Sequence, residues 1–188
     1  MVVAFAVGLA VGCAKPRRIS AETRLAESYA IYSTIINNSR AGHEGKLVLI
    51  ASKTRSVYRV ESTADEVEFI KRSIPAGTSK ETLVDFKSED RKPQELTVRF
   101  ALTNQYLLVS NETRFFETEE TVQAFRATYP NSTGRIICLS NVGFNDKMDE
   151  ALVQAWGYCG GDCGGGGYYL LRKKNGIWKV EDEKLWIS

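Results

Sequence analysis

Asn175-Gly176 constrains what this chain can fold into more than any other pair of residues in it. A two-residue hairpin loop needs positive φ at both central positions, and asparagine followed by glycine supplies that at little cost. The flanking runs, Gly167 to Lys174 and Ile177 to Ile187, are therefore predicted to be paired antiparallel strands. The turn also sets their register, with Lys173 opposite Trp178 and Leu171 opposite Val180. Tyr169, Leu171, Trp178 and Val180 then share one side of the sheet, which must be the core side.

Two more apolar runs precede this hairpin, Arg135 to Phe144 and Ala151 to Tyr158, with short connections between them. Sequential strands on short connections predict a four-stranded antiparallel C-terminal meander. Upstream, Ser20 is a good N-cap, and Leu25, Tyr29, Tyr32 and Ile36 recur at helical spacing as one apolar stripe. Lys46 to Ala51 is a continuous apolar run of strand length, and Tyr106 to Val109 is a second candidate. Leu96 to Thr103 alternates apolar and polar residues, the pattern of a half-buried strand. Thr78 and Glu81 form a capping box before a short helix at Leu83 to Phe86. Thr118 caps another helix, which Pro130 stops. Thr63 to Arg72 is compatible with helix or strand.

The expected class is α+β: two or three helices packed on one face of a curved antiparallel sheet. With 188 residues, 43% of them hydrophobic, the chain can bury a core without help from a metal or a disulfide. Residues 21–188 are expected to form a single domain.

Residues 1–12 read as an export signal and residues 13–20 as a tether. Val2 to Val11 is apolar or small throughout, too short to cross a bilayer and of the length of a signal-peptide core. Leu9-Ala10-Val11-Gly12-Cys13 resembles the bacterial lipobox, which implies lipidation of Cys13, attachment to a membrane and a place in the cell envelope. The alternative is a plain secretory signal cut near Gly12 or Ala14, giving a secreted soluble protein. Export suits the cysteines. Cys159-Gly160-Gly161-Asp162-Cys163 is a natural disulfide across a hairpin loop in an oxidising compartment, whereas Cys138, inside Ile136-Ile137-Cys138-Leu139, reads as a buried small hydrophobe.

Little else carries chemistry. The 25 Lys and Arg against 23 Asp and Glu give a net charge of +2, with no concentrated basic face, so no nucleic-acid partner is expected. His43 is the single histidine, in a turn by composition, and no Gly-x-Ser-x-Gly elbow supplies it with a serine. Zinc would need His43 together with Cys138, Cys159 and Cys163, at spacings unlike those of a structural site, so no metal is expected. The run Gly160 to Gly167 lacks the Gly-Lys-Ser/Thr ending of a phosphate loop and reads as a flexible hairpin loop. Three residues separate Cys159 from Cys163, against two in thioredoxin-type pairs. Glu119-Glu120 and Asp146 with Asp149 are acid pairs of ordinary kind. Asn37, Asn111 and Asn131 head glycosylation sequons that matter only in a eukaryotic secretory chain. No cofactor and no catalytic residue is expected.

Gly176 with Trp178 at the end of a strand pair resembles the cone-shaped domains of the nuclear-transport-factor-two-like kind. Tyr129-Pro130-Asn131-Ser132, Leu139-Ser140-Asn141-Val142-Gly143-Phe144-Asn145, Ala151-Leu152-Val153, Cys159-Gly160 with Cys163-Gly164, Tyr168 to Leu171 and Trp186-Ile187-Ser188 together resemble a group of uncharacterised bacterial exported proteins. That resemblance supports the disulfide and the meander and implies no activity. The function expected is a non-enzymatic envelope lipoprotein or exported binding or structural domain, its partner an envelope protein or a small ligand. The alternative is an enzyme with an unrecognised pocket site, including thiol–disulfide exchange at Cys159 and Cys163.

Overall fold

The computed structural model describes residues 19–39, 46–55, 63–90, 92–110, 115–159 and 163–187. Among these, four helices, α1 (Ala21–Asn38), α2 (Thr63–Ser73), α3 (Lys80–Glu89) and α4 (Glu119–Thr128), accompany seven strands. The strands are β1 (Leu47–Ala51), β2 (Tyr106–Val109), β3 (Ser132–Leu139), β4 (Gly143–Phe144), β5 (Glu150–Tyr158), β6 (Gly164–Lys174) and β7 (Ile177–Ile187). They form one open sheet in the order β2-β1-β3-β5-β6-β7, with β4 paired to β5.

The class is α+β, and the C-terminal meander is present as β3, β5, β6 and β7, each antiparallel to the next. Asn175 and Gly176 take φ of 54° and 79°, and the register they set puts Lys173 opposite Trp178 and Leu171 opposite Val180. A bulge follows, because Leu170 pairs with Asp182 and skips Glu181.

The helices number four among the described residues rather than two or three, and the sheet also departs from expectation. The sheet is mixed rather than wholly antiparallel, since β1 runs parallel to both β2 and β3. The cause is the connections: α2 and α3 lie between β1 and β2, and α4 lies between β2 and β3, so the chain crosses over and re-enters in the same direction. Helices also cover both faces instead of one. Val48, Ile50, Ile137 and Leu139 pack with α1. Their neighbours Leu49, Ala51, Ile136 and Cys138 pack with Phe125 of α4. Farther along that second face, Leu152 and Tyr168 meet Phe69 and Ile70 of α2 and Leu83 and Phe86 of α3. Continuous apolar runs such as Leu47 to Ala51 are the sequence mark of burial on both faces. Each buried leucine, isoleucine or phenylalanine contributes about 1.5–3 kcal/mol.

Leu96 to Thr103 is not a strand. It joins no strand ladder: the Leu96 N–H donates to the Ser52 carbonyl (2.7 Å) and the Phe100 N–H to the Tyr106 hydroxyl (3.2 Å), and side chains of α1 take three more of its N–H groups. The Thr97 N–H donates to the Tyr29 hydroxyl (2.6 Å), the Ala101 N–H to Ser33 Oγ (2.9 Å) and the Thr103 N–H to Asn37 Oδ1 (3.1 Å). Tyr29, Ser33 and Asn37 are four residues apart, so they present one face of α1 to this segment. Leu96 and Phe100 enter the core while Val98, between them, is 79% exposed.

The helix ends are fixed locally. Ser20 caps α1, accepting the Thr23 N–H at 3.0 Å. Thr118 caps α4 in a box with Thr121. For α3 the cap is Ser79 rather than Thr78, because the Thr78 hydroxyl donates to the Pro75 carbonyl in the preceding turn. Thr63–Ser73, ambiguous in sequence, is helical.

Candidate functional site

The run expected to be a loop, Gly160 to Gly167, is partly strand: Gly164 to Gly167 form the first part of β6, paired on both sides. Glycine is needed there for space. A Cβ on Gly166 would lie 2.4 Å from the Ala155 carbonyl oxygen and the Trp156 Cβ, and one on Gly167 would lie 2.6 Å from Leu185 Cδ2.

The ladders show what this does to the face that α1 covers. Directly opposed residues share a face of the sheet. One row across it is Ile137, Gly157 and Gly165, and the next is Leu139, Ala155, Gly167 and Leu185. Two central strands carry almost no side chain, and the strands on either side carry large apolar residues. The result is a trough along β5 and β6. Ile35 and Ile36 overhang it from the last turns of α1, and it forms a cleft of about 770 Å³. Tyr169 stands at the inner end, where burial and the Glu183 carboxylate push its hydroxyl pKa up, so it remains a neutral phenol.

Arg135 stands at the outer end. It follows a bulge in β3, where Gly134 takes φ of 73°, and its Cδ lies 2.9 Å from where a Cβ on Gly157 would be. The arginine stem thus lies across the open end of the trough. Its guanidinium makes no hydrogen bond or ion pair with a described residue. Among the described residues lining the cleft it is the one that carries a charge.

Cys159 and Cys163 are joined at the end of the β5–β6 hairpin, with Cα atoms 5.4 Å apart. The Cys159 N–H donates to the Cys163 carbonyl, and Cys163 borders the cleft. Among the described residues no helix begins at this pair, unlike a thioredoxin-type site. Cys138 is buried in β3 against the α4 face. Cys13 and His43 lie outside the described residues. Among the described residues no cluster of three His, Cys, Asp or Glu could hold a metal. Glu119 and Glu120 occupy the exposed first turn of α4, where they complement the helix dipole. Asp149 Oδ1 accepts from Asn145 Nδ2 at 2.6 Å in the turn before β5, and Asp146 lies in that turn.

Leu139 to Asn145, singled out in the sequence, is a structural hub. The Tyr32 hydroxyl donates to the Ser140 carbonyl (2.9 Å), and Asn141 Nδ2 to the carbonyls of Glu89 and Lys92 (both 2.6 Å). Burial pushes the Tyr32 pKa up. Arg24 donates to the Val142 carbonyl (2.7 Å) and to both carboxylate oxygens of Asp85, which also accepts the Phe144 N–H (2.6 Å). Asn145 Oδ1 accepts from the Asp149 and Glu150 N–H groups. A smaller cavity of about 320 Å³ adjoins Arg24, Tyr32 and Asn141, but these groups are committed to one another's elements. Glu150, in turn, holds the start of α3. It accepts from the Ser79 N–H and the Thr82 hydroxyl (both 2.8 Å) and from Arg172 (3.2 Å). Burial pushes its carboxyl up, but these donors and the Arg172 charge outweigh that and hold the pKa below the ordinary carboxylate range.

No protein-family model, curated protein or solved structure matches the chain. Sequence reasoning missed the trough and Arg135. The signal was available. Counting back from Asn175-Gly176 along β6 places four consecutive glycines in a strand interior, where glycine marks a close approach or a bare surface.

Proposed function

We propose that the chain is an exported, membrane-anchored binding domain, tethered through Cys13, that holds a small apolar molecule in the cleft over β5 and β6. The cleft carries this reading. At about 770 Å³ it falls within the range of small-molecule sites, and its apolar walls stand over a floor of Gly157, Gly165, Gly167 and Ala155. Such a lining suits holding a molecule more than transforming one, since it brings no set of titratable groups together. The Cys159–Cys163 disulfide accords with an oxidising compartment. Among the described residues no helix is long and apolar enough to cross a membrane, and the proposed attachment runs through acyl chains on Cys13.

The cleft is tested with N-phenyl-naphthylamine, a neutral apolar dye that brightens when it leaves water. The chain should bind it saturably with one site. Ala155→Phe, which fills the floor, should weaken binding at least tenfold, while Val84→Phe, on an exposed position of α3, should not. Equal binding by the chain and both variants would remove the cleft from the account. The anchor is tested separately: Cys13→Ser should shift the protein from the membrane fraction to the soluble exported fraction, because membrane attachment depends on the buried acyl chains. Unchanged partition would end the lipid-anchor reading and leave the cleft untouched.

A further inference from the structure

We propose that the molecule held in the trough is a single-chain anionic amphiphile, its tail over the glycine floor and its head group on Arg135. This rests on the cleft being a binding site and adds the chemistry of the occupant. Three observations carry it.

The trough is narrow and long. Its floor of small residues is two strands wide, about 5 Å from strand to strand, with Arg135 over Gly157 and Leu185 Cδ2 over Gly167. From Gly157, beneath the Arg135 side chain, to the level of Tyr169 there are two two-residue steps along the strands, about 14 Å in all. A lipid tail spans about 15 Å, half the hydrocarbon thickness of a bilayer, so one tail matches this length when its head group is at Arg135. A compact ring system would leave either the Tyr169 end or the Arg135 end uncovered.

The two ends differ in polarity. Tyr169, a neutral phenol, stands at the inner end near the main core, with Leu185 beside it. The outer end has Arg135, whose Cδ and Nη1 lie over Gly157, 2.9 and 3.6 Å from where a Cβ would be, so the guanidinium closes the outer end of the floor. An amphiphile has one orientation that suits both ends.

The charge at this end has no partner among the described residues. Arg24, Arg172, Lys173 and Lys174 each pair with a carboxylate of the fold. Arg135 pairs with no described residue, so its planar fork is available to a carboxylate or another oxyanion. A cationic head group would meet repulsion there, and a neutral one would leave the charge unanswered.

The test displaces the naphthylamine dye with dodecanoate, dodecanol and dodecylamine, which share a tail and differ in head group. It uses the full chain carrying Cys13→Ser, so that no anchoring lipid competes. Dodecanoate should displace the dye at a concentration about fivefold lower than dodecanol, the order of magnitude expected of a rim ion pair. Arg135→Lys should keep that preference in part, and Arg135→Glu should reverse it towards dodecylamine. The thermal midpoint should not change in either variant, because the residue is exposed, and each displacement is referred to that variant's own dye affinity. Dodecanoate and dodecanol displacing equally, with no response to Arg135→Glu, would overturn the head-group assignment while leaving an apolar cleft in place. Failure of the dye itself to bind would overturn both.

Discussion

Trp178→Ala should cost about 3–5 kcal/mol of folding stability, as large-to-small changes in a packed core do. The indole is 4% exposed and closes the core between β7 and α1. It packs near Phe144, with ring centroids 6.0 Å apart, and Lys173 Nζ lies 5.4 Å from its centroid. Its Nε1 donates to Glu27 Oε2 at 2.6 Å, while Glu27 Oε1 pairs with Lys173. Removing the ring therefore opens a cavity and strips one donor from a half-buried carboxylate. Trp178→Phe separates the two effects: it keeps most of the packing and should cost about 1–2 kcal/mol for the lost hydrogen bond. Urea unfolding with an unchanged slope would measure both. A loss below about 1 kcal/mol for the alanine variant would mean that the indole is not in the core and that the hairpin register is wrong.

Gly143→Ala should be comparably damaging for the opposite reason, too much volume. A Cβ at Gly143 would lie 2.4 Å from the Phe86 Cβ and 2.5 Å from its Cα and N, so the helix backbone of α3 rests directly on β4. Neither partner can swing aside. The added methyl must push α3 away and pull Asp85 from the Phe144 N–H and from Arg24. Overpacking of this kind costs about 3 kcal/mol when backbone has to move, at the upper end of the usual range. Gly134→Ala is the control. There φ is 73° and nothing lies within 4 Å of the added Cβ, so only left-handed strain acts, about 1 kcal/mol. Equal losses at the two glycines would show that α3 does not rest on β4 as described.

Much of this fold was legible because local rules and burial agreed. Asn175-Gly176 permits one turn, and the turn fixed the pairing of Leu171 and Trp178 before any contact was known. The stripe from Leu25 to Ile36 is helical in period and buried in fact. What misled was alternation without a partner. Leu96 to Thr103 has the pattern of a strand, but side chains of α1 take the N–H groups of Thr97, Ala101 and Thr103, and no residue pattern in the segment itself announces that. Parallel pairing of β1 was hidden for a similar reason: it depends on where the crossovers land. The Cys159–Cys163 link was readable from the spacing of two cysteines across a hairpin. The trough was not read because glycine was taken as a sign of a loop, whereas two paired neighbours make the same residues a floor. Arg135 looked like one arginine among many until the strands placed it at the open end.

The central claim is that the cleft between α1 and the β5–β6 floor holds an apolar molecule. Methyl NMR of the chain, labelled at isoleucine and leucine and titrated with the neutral naphthylamine dye, tests it most directly. Shifts should concentrate at Ile35, Ile36, Ile137 and Leu185, which line the cleft. Ile74 and Leu152, on the opposite face of the sheet, should stay in place. Movement at Ile74 and Leu152, or no movement anywhere at saturating dye, would contradict the account.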